Sequence, residues 1–384
     1  MWDYVIIGAG LAGSVLAERI ASQLNKKVLI IEKRNHVGGN CYDSYDQNGI
    51  LVHNYGPHIF HTKIAKVWDY LSQFTRWIEY HHRVLGFVDG QKIPIPFNLN
   101  SLYSIFPNLV AKKLEQKLIR YFGYNKKIPI LKLRQIEDPE LNFLAEYVYG
   151  KIFLNYTLKQ WGVKPEELDP YVTGRVPIYI SRDNRYFQDR FQGIPVGGYT
   201  NLFLKMLEHP NIKILLKTNF KEILNIDLDL SKMVLMGKEF NGKVIYTGPI
   251  DYFFDYKYGK LPYRSLQFHF HNINTPFYQE VGTVNYPNDY HFLRITEFKF
   301  MTSQQSPTTT IVKEYPQEYI PGVNIPYYPI KNTSNQLIYE LYKNEAKRLP
   351  HVFFVGRLAE YQYYDMDAVV SKALRIFDEK INLP

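Results

Sequence analysis

Apolar and polar positions divide this chain into stretches of different period. Tyr4-Val5-Ile6-Ile7 and Val28-Leu29-Ile30-Ile31 are short apolar runs that read as strands, and Gly8-Ala9-Gly10-Leu11-Ala12-Gly13 between them opens a helix near Leu11. Val84 to Val88 and Ile93 to Phe97 read as short strands around the turn Asp89-Gly90-Gln91. From about Ser101 to Leu168 the apolar residues recur at three-to-four spacing, as at Leu109, Leu114, Leu118 and Tyr121, then Leu141, Leu144, Tyr147, Val148 and Phe153; helices are predicted there. Residues 171–192 are β-rich and aromatic, 193–199 form a glycine loop entering a helix over 200–207, and 213–247 return to strands. Alternation resumes at Ser265-Leu266-Gln267-Phe268-His269-Phe270 and predicts an antiparallel sheet to about 315. A late run, Val352 to Val355, closes on Gly356-Arg357 and leads into a helix from Asp367 to Ile376.

The first forty residues carry the dinucleotide fingerprint in its required context of strand, glycine turn, helix, strand and acid. Gly8 permits the tight turn, Gly10 lets backbone approach a pyrophosphate at the positive helix end, and Gly13 allows close packing of helix on sheet. Glu32 is placed to accept hydrogen bonds from a ribose. The following Lys33-Arg34-Asn35-His36-Val37-Gly38-Gly39-Asn40 resembles the second glycine motif of FAD proteins of the glutathione-reductase-like group. The expected fold is therefore α/β, with a discontinuous Rossmann-like FAD domain over 1–80, 193–250 and 336–384. A helical insert over 98–172 carries a substrate lid near 163–176, and an antiparallel β-sheet domain takes 81–97, 173–192 and 251–335.

Composition narrows the chemistry. With 384 residues, 46% hydrophobic and 22% charged, the chain suits two or three globular domains. Its net charge of +9 comes from basic residues scattered without a nucleic-acid-like run, so an anionic small substrate is the economical expectation. A single cysteine, Cys41, excludes an internal disulfide framework and fits the cytoplasm. No apolar stretch approaches the length of a membrane span, and the N-terminus lacks the basic lead of a signal peptide. His58 and His61 are three apart, but neither an HExxH context nor a cysteine partner accompanies them, so no metal site is expected.

Ordered motifs then run along the whole chain. They include Tyr55-Gly56-x-His58-Ile59-Phe60-His61-Thr62, Pro96-Phe97-Asn98-x-Asn100, Tyr156-Thr157-x-Lys159-Gln160-Trp161-Gly162, Arg175-Val176-Pro177 and Asp183-Asn184-x-Tyr186-Phe187. Further on come Gln192 to Thr200, Tyr246 to Asp251, Lys313-Glu314-Tyr315-Pro316, and Gly356 to Met366. Together with the fingerprint they resemble the UDP-galactopyranose mutase family. The resemblance implies interconversion of a UDP-galactose between pyranose and furanose forms through a covalent adduct with N5 of reduced FAD, without net redox change. It further implies a reductant for the flavin, a role in cell-surface glycan synthesis and a homodimer. By resemblance, Gly8, Gly10, Leu11, Ala12, Gly13, Glu32, Lys33, Arg34, Gly38, Gly39, Asn40, His58, Arg357, Tyr364, Asp365 and Met366 hold the cofactor. Asn98, Tyr156, Trp161, Arg175, Tyr186, Asn285, Arg294, Tyr315 and Tyr363 hold the substrate, with the two arginines on its diphosphate. Arg175, Arg294, His58, His61 and Asp365 are the expected catalytic set.

The chain departs from the family pattern before Arg294, where Tyr290-His291-Phe292-Leu293 replaces a more polar segment, at Pro57, and throughout 163–174. These changes leave UDP-N-acetylgalactosamine or a thymidine-linked deoxyhexose as alternative substrates. An amine-oxidase-like oxidoreductase and a scaffold resembling GDP-dissociation inhibitors share the nucleotide domain and stand as more remote alternatives.

Overall fold

The computed structural model describes residues 2–168, 174, 176–227 and 232–382. Among these, a five-stranded parallel sheet has the order Ile212–Leu215, Val28–Ile31, Tyr4–Ile7, Lys243–Tyr246, Val352–Phe354. The short apolar runs suit it because both faces are covered, as parallel sheets require. Tyr4 and Ile6 face the helices Leu11–Leu24, Gly198–Leu207 and Met366–Ile376, whereas Val5 and Ile7 face a second apolar cluster with Phe220, Phe253 and Tyr342. The strand period of two thus serves two cores at once. Its strands come from the beginning, middle and end of the chain.

A second, seven-stranded sheet runs Tyr328–Pro329, Tyr263–Ile273, Thr309–Glu318, Arg294–Glu297, Thr283–Asn285, Val84–Val88, Gln91–Ile95. It is antiparallel except where Thr283–Asn285 pairs in parallel with Val84–Val88, which stitches the early hairpin onto the later strands. The hairpin turn needs only Asp89 and Gly90, both at positive φ, so Gln91 already belongs to the strand.

Against the hairpin Val84–Val88/Gln91–Ile95 at the edge of this sheet pack the helices Leu99–Ile105, Asn108–Phe122, Pro139–Val148 and Asn155–Trp161. Ala111, Leu114, Leu118, Leu141, Leu144 and Val148 form their shared core. Leu109 and Tyr121, counted with this seam from their spacing, point outward instead; Leu109 is 85% exposed. Leu109 stands two residues from Ala111, about 200° around the helix. A π-helical turn over Tyr149–Leu154 joins the last two helices and shifts Tyr156 relative to the preceding seam.

Three other stretches differ from expectation. Gly193-Ile194-Pro195 is strand rather than loop, because Gly193 lies where a Cβ would be 2.9 Å from the Ile78 carbonyl oxygen of the paired strand. Gly197 and Gly198, at φ +79° and +89°, make the turn, and the helix begins at Gly198. Leu224–Ile226, Met233–Leu235 and Lys238–Glu239 build a small separate antiparallel sheet rather than joining the parallel one. Over 171–192, Ile178–Ile180 pairs with Lys126–Ile128, and most of the remaining described backbone up to Phe191 is irregular. Among the described residues no helix is long and apolar enough to cross a membrane.

A Cβ on Gly13 would overlap the Gly8 carbonyl oxygen and crowd Ile6. Gly13→Val is therefore expected to destabilise the protein by about 1–3 kcal/mol or more through overpacking. A urea-unfolding midpoint equal to wild type would contradict this packing role.

Candidate active site

The strand Tyr4–Ile7 ends at Gly8, whose φ of +103° and contact with Thr247 leave no room for a side chain. The helix Leu11–Leu24 then starts from Gly10 without a side-chain cap and without an acid in its first turn. Its first N–H groups are therefore available to an anion. Gly39 approaches so closely that a Cβ on it would lie 2.9 Å from the Gly10 Cα. Glu32 accepts the Ala9 N–H at 2.8 Å and the Arg34 N–H at 2.9 Å, tying the acid to the glycine turn. Arg34 donates from Nη2 to Asn40 Oδ1 at 2.8 Å and lies 4.4 Å over the Tyr55 ring, while its buried Nη1 has no partner.

Gly8, Gly10, Leu11, Ala12, Glu32, Lys33, Arg34, Gly38, Gly39, Asn40, His58, Arg357 and Met366 all line this one cavity. Gly13 sits behind it, against Gly8. Tyr364 does not line it; its carbonyl instead accepts Arg357 Nε at 3.2 Å and so aims that guanidinium. Thr218, Asn219 and Tyr327 also line it, without having been singled out in the sequence. Bare backbone donors, a fixed acid and an unpaired buried guanidinium nitrogen suit a dinucleotide.

A second cavity shares Asn40, His58, Tyr327, Arg357 and Met366 with the first. His61, Tyr156, Trp161, Tyr186, Asn285, Arg294, Tyr363 and Asp365 line it as well, so most of the expected substrate set converges here. Arg294 donates from Nε to Glu314 Oε1 at 2.8 Å, and Glu314 is fully buried. Burial opposes the Arg294 charge, but Glu314, Tyr156 and Tyr328 more than offset it and keep the guanidinium protonated. Burial in turn pushes the Glu314 carboxyl up, against the pull of Arg294. Asn285 Oδ1 is buried with no partner.

His58 Nδ1 lies 2.8 Å from the Gly56 carbonyl, which only accepts, so this nitrogen carries the proton and Nε2 is left as an acceptor. The His58 backbone N–H donates to His53 Nδ1 at 3.0 Å. Exclusion of solvent pushes His58 down to about 3, with His53 adding to the effect. His61 is held differently, with Nδ1 2.6 Å from Asp189 and its ring stacked 3.6 Å from Phe187.

Two expected substrate residues lie elsewhere. Asn98 caps the helix Leu99–Ile105, accepting from the N–H groups of Asn100 and Ser101 and donating to the Asp183 carbonyl; its polar atoms are spent on structure. Tyr315 follows Glu314 on one strand and so points to the opposite face, against His269 and Phe292. Tyr328 is at the cavity instead, stacked 5.5 Å from Tyr363, with Trp161 5.6 Å away. Phe292 belongs to that same outer cluster with Ile295 and Ile311, so the altered segment before Arg294 does not line the cavity. Arg175 lies outside the described residues, as do 169–173 of the expected lid.

The buried histidines His53 and His82 are lowered to about 4 and about 3, chiefly by loss of solvent. In the unfolded chain each regains a pKa near 6.5. Stability they contribute above pH 6.5 is therefore lost as pH falls toward their folded values, by about 1–2 kcal/mol each at pH 5. Urea midpoints at pH 7 and pH 5 should differ accordingly, and His82→Gln should reduce the difference by one histidine's share while the buried His53 and His58 keep the remainder; an equal midpoint at both would contradict the burial argument.

A sequence model of the UDP-galactopyranose mutase family matches residues 151–363, and one of NAD(P)-binding Rossmann-like domains matches residues 6–74. The UDP-galactopyranose mutase of Mycoplasma genitalium is 37% identical, over 97% of this chain and 93% of that protein. The dTDP-fucopyranose mutase of Escherichia coli is 35% identical, over 96% of each. In fold, the chain resembles the crystal structure of a reduced UDP-galactopyranose mutase with a TM-score of 0.75, covering 100% of this chain and 96% of that one at 17% identity. Full-length similarity of this order, joined to a dinucleotide cavity that opens onto a cation-bearing one, means that the chain belongs to the UDP-galactopyranose mutase family of FAD-dependent isomerases.

Proposed function

We infer that this protein interconverts UDP-galactopyranose and UDP-galactofuranose, with FAD in its reduced form. The observation that carries the reading is the shared wall between the two cavities, formed by Asn40, His58, Tyr327, Arg357 and Met366. Reduced FAD, when bound, supplies the nucleophile that displaces the nucleotide diphosphate from the anomeric carbon and lets the sugar ring open and reclose.

The chain's own residues bind, orient and stabilise around that event. The Leu11 helix end and Arg34 take the cofactor diphosphate. Arg294, joined by Arg175, takes the diphosphate of the substrate. The displaced nucleotide must stay in place to be reattached, and a permanently charged, partly buried guanidinium at the cavity wall holds the growing negative charge. Tyr328 and Tyr363 add hydroxyl donors. Neutral His58 presents Nε2 as an acceptor at the junction, beside Arg357 and Asp365. UDP-galactose remains the favoured substrate because residues 290–293 do not line the cavity, and of the departures outside the lid only Pro57 does. The domain division over 1–80, 193–250 and 336–384 accompanies this reading, with the cofactor side built from chain segments far apart in sequence.

Dithionite-reduced protein should convert UDP-galactofuranose into UDP-galactopyranose over many turnovers without stoichiometric use of reductant, and the oxidised protein should be inactive. Product chromatography alongside a flavin absorbance trace measures both. Net oxidation of an amine or of NAD(P)H at comparable rates would overturn the reading.

Tyr328→Phe should lower kcat/KM tenfold to hundredfold, the ~1.5–3 kcal/mol of a hydrogen bond to a charged group. Tyr315→Phe should stay within about twofold of wild type. The reverse ranking would restore Tyr315 to the substrate.

A further inference from the structure

His61 is held from two sides. Its ring lies 3.6 Å from the Phe187 ring at an angle of 16°, which fixes the plane of the imidazole. Asp189 Oδ2 lies 2.6 Å from Nδ1, which fixes the rotation within that plane. Both holding residues come from one loop, and that loop is fastened in turn. The buried Gln192, directly opposite His61 in the strand ladder, donates from Nε2 to the Asp189 carbonyl at 2.9 Å and to the Phe187 carbonyl at 3.2 Å.

The hydrogen bond with His61 holds the Asp189 carboxyl below the ordinary carboxylate range in spite of its partial burial, and the positive charges of Lys63 and Lys127 add to the effect. An ionised carboxylate only accepts, so Nδ1 carries a proton. In a neutral imidazole this leaves Nε2 as an acceptor, because the hydrogen bond made by one ring nitrogen decides the tautomer. Among the described residues Nε2 has no hydrogen-bond partner, and it is not one of the solvent-excluded polar atoms, so it keeps accessible surface. His61 lines the substrate cavity, and Nε2 lies across the ring from Asp189, whose other oxygen is 3.7 Å from the exposed Lys63. The free nitrogen therefore faces inward.

A sugar presents hydroxyl hydrogens as well as oxygens, whereas the cavity's Arg294 and Arg357 are donors only. An acceptor fixed in direction takes one hydroxyl hydrogen and leaves a lone pair of that oxygen free to point elsewhere. Such orientation counts where a hydroxyl has to close on the anomeric carbon. We propose that Asp189 is a positioning residue of the active site, which together with Phe187 locks His61 in the tautomer that offers Nε2 to a sugar hydroxyl. The proposal rests on the mutase reading for its substrate. Asp189 lines neither cavity, so its effect reaches the substrate through His61.

The test reads the tautomer directly. In FAD-loaded protein labelled with nitrogen-15 histidine, at pH 8, long-range proton–nitrogen correlation spectra should show His61 protonated at Nδ1 and bare at Nε2. Loss of the signal in His61→Gln assigns it. Asp189→Asn keeps the size but offers Nδ1 either a donor or an acceptor, so the tautomers should become mixed. In the reduced protein, kcat for UDP-galactofuranose should then fall about tenfold or more while KM stays within about threefold, because Arg294 is untouched. Asp189→Glu, which returns a carboxylate, should restore the Nδ1 proton and exceed Asp189→Asn in kcat by about threefold or more. A proton on His61 Nε2 in the wild-type protein, or an unchanged kcat in Asp189→Asn, would overturn the proposal. So would a loss of kcat in Asp189→Asn with the tautomer unmoved, the mark of a purely structural role. A fixed Nδ1 proton that becomes mixed in Asp189→Asn, with no turnover of a nucleotide sugar by the reduced wild type, would support the His61 geometry and sink the mutase reading instead.

Discussion

Drawing the Arg294 guanidinium largely out of water costs free energy unless an opposite charge lies beside it, and the cavity side of the molecule is arranged around meeting that cost. Glu314 supplies the charge from the adjacent strand, with Arg294 and Glu314 directly opposite in the ladder. Only Nε is used in the pair, which leaves the other two guanidinium nitrogens for an anion among the described residues. The other carboxyl oxygen, Glu314 Oε2, is buried without a partner. Removing either partner would strand the other charge, at ~3–5 kcal/mol, so binding and folding are coupled at this point.

The two cavities depend on topology as much as on side chains. The parallel sheet delivers Gly8 at the carboxyl end of its central strand, and the strand Lys243–Tyr246 delivers Thr247 beside it. The last strand, Val352–Phe354, brings Gly356 and Arg357 to the same end. This is the crevice where open parallel sheets bind ligands. The seven-stranded sheet then presents Arg294 and Asn285 to the far side of Arg357, His58 and Tyr327. A discontinuous nucleotide domain is the consequence, since a chain that left the sheet once would not return Arg357 to that wall.

What the sequence made legible follows from how local each constraint is. The roles of Gly8, Gly10 and Gly13 are set within six residues by turn and packing geometry, and Glu32 by the end of the next strand. Tyr315 and Tyr328 were another matter. Which tyrosine reaches the cavity depends on strand parity relative to Glu314 and on a short edge strand, Tyr328–Pro329, that carries no motif. Asn98 matched the substrate pattern because an Asx residue followed by Ser101 is also a helix cap, and the structure uses it as the cap. Phe292 and Leu293 looked like changes near the sugar through their closeness in sequence to Arg294, but the alternation of the strand and the turn before it send Phe292 outward. The signal that could have found Tyr328 is its pairing with Tyr363 across the cavity, which exists only in three dimensions.

Burial also sorts the charges along the path from cofactor to substrate. The same loss of solvent that keeps His58 neutral also opposes the Arg294 charge, and the pair with Glu314 more than offsets it. Arg294 and Arg357 themselves push the His58 pKa further down, so the cations and the neutral imidazole reinforce one another. At neutral pH the shared wall therefore offers a fixed positive charge for an anion and a lone pair on Nε2 for a hydroxyl or amide proton, with no proton in exchange between them. Such an arrangement suits a reaction that begins and ends with the same protonation and redox state, because nothing in the wall has to be reset between turnovers.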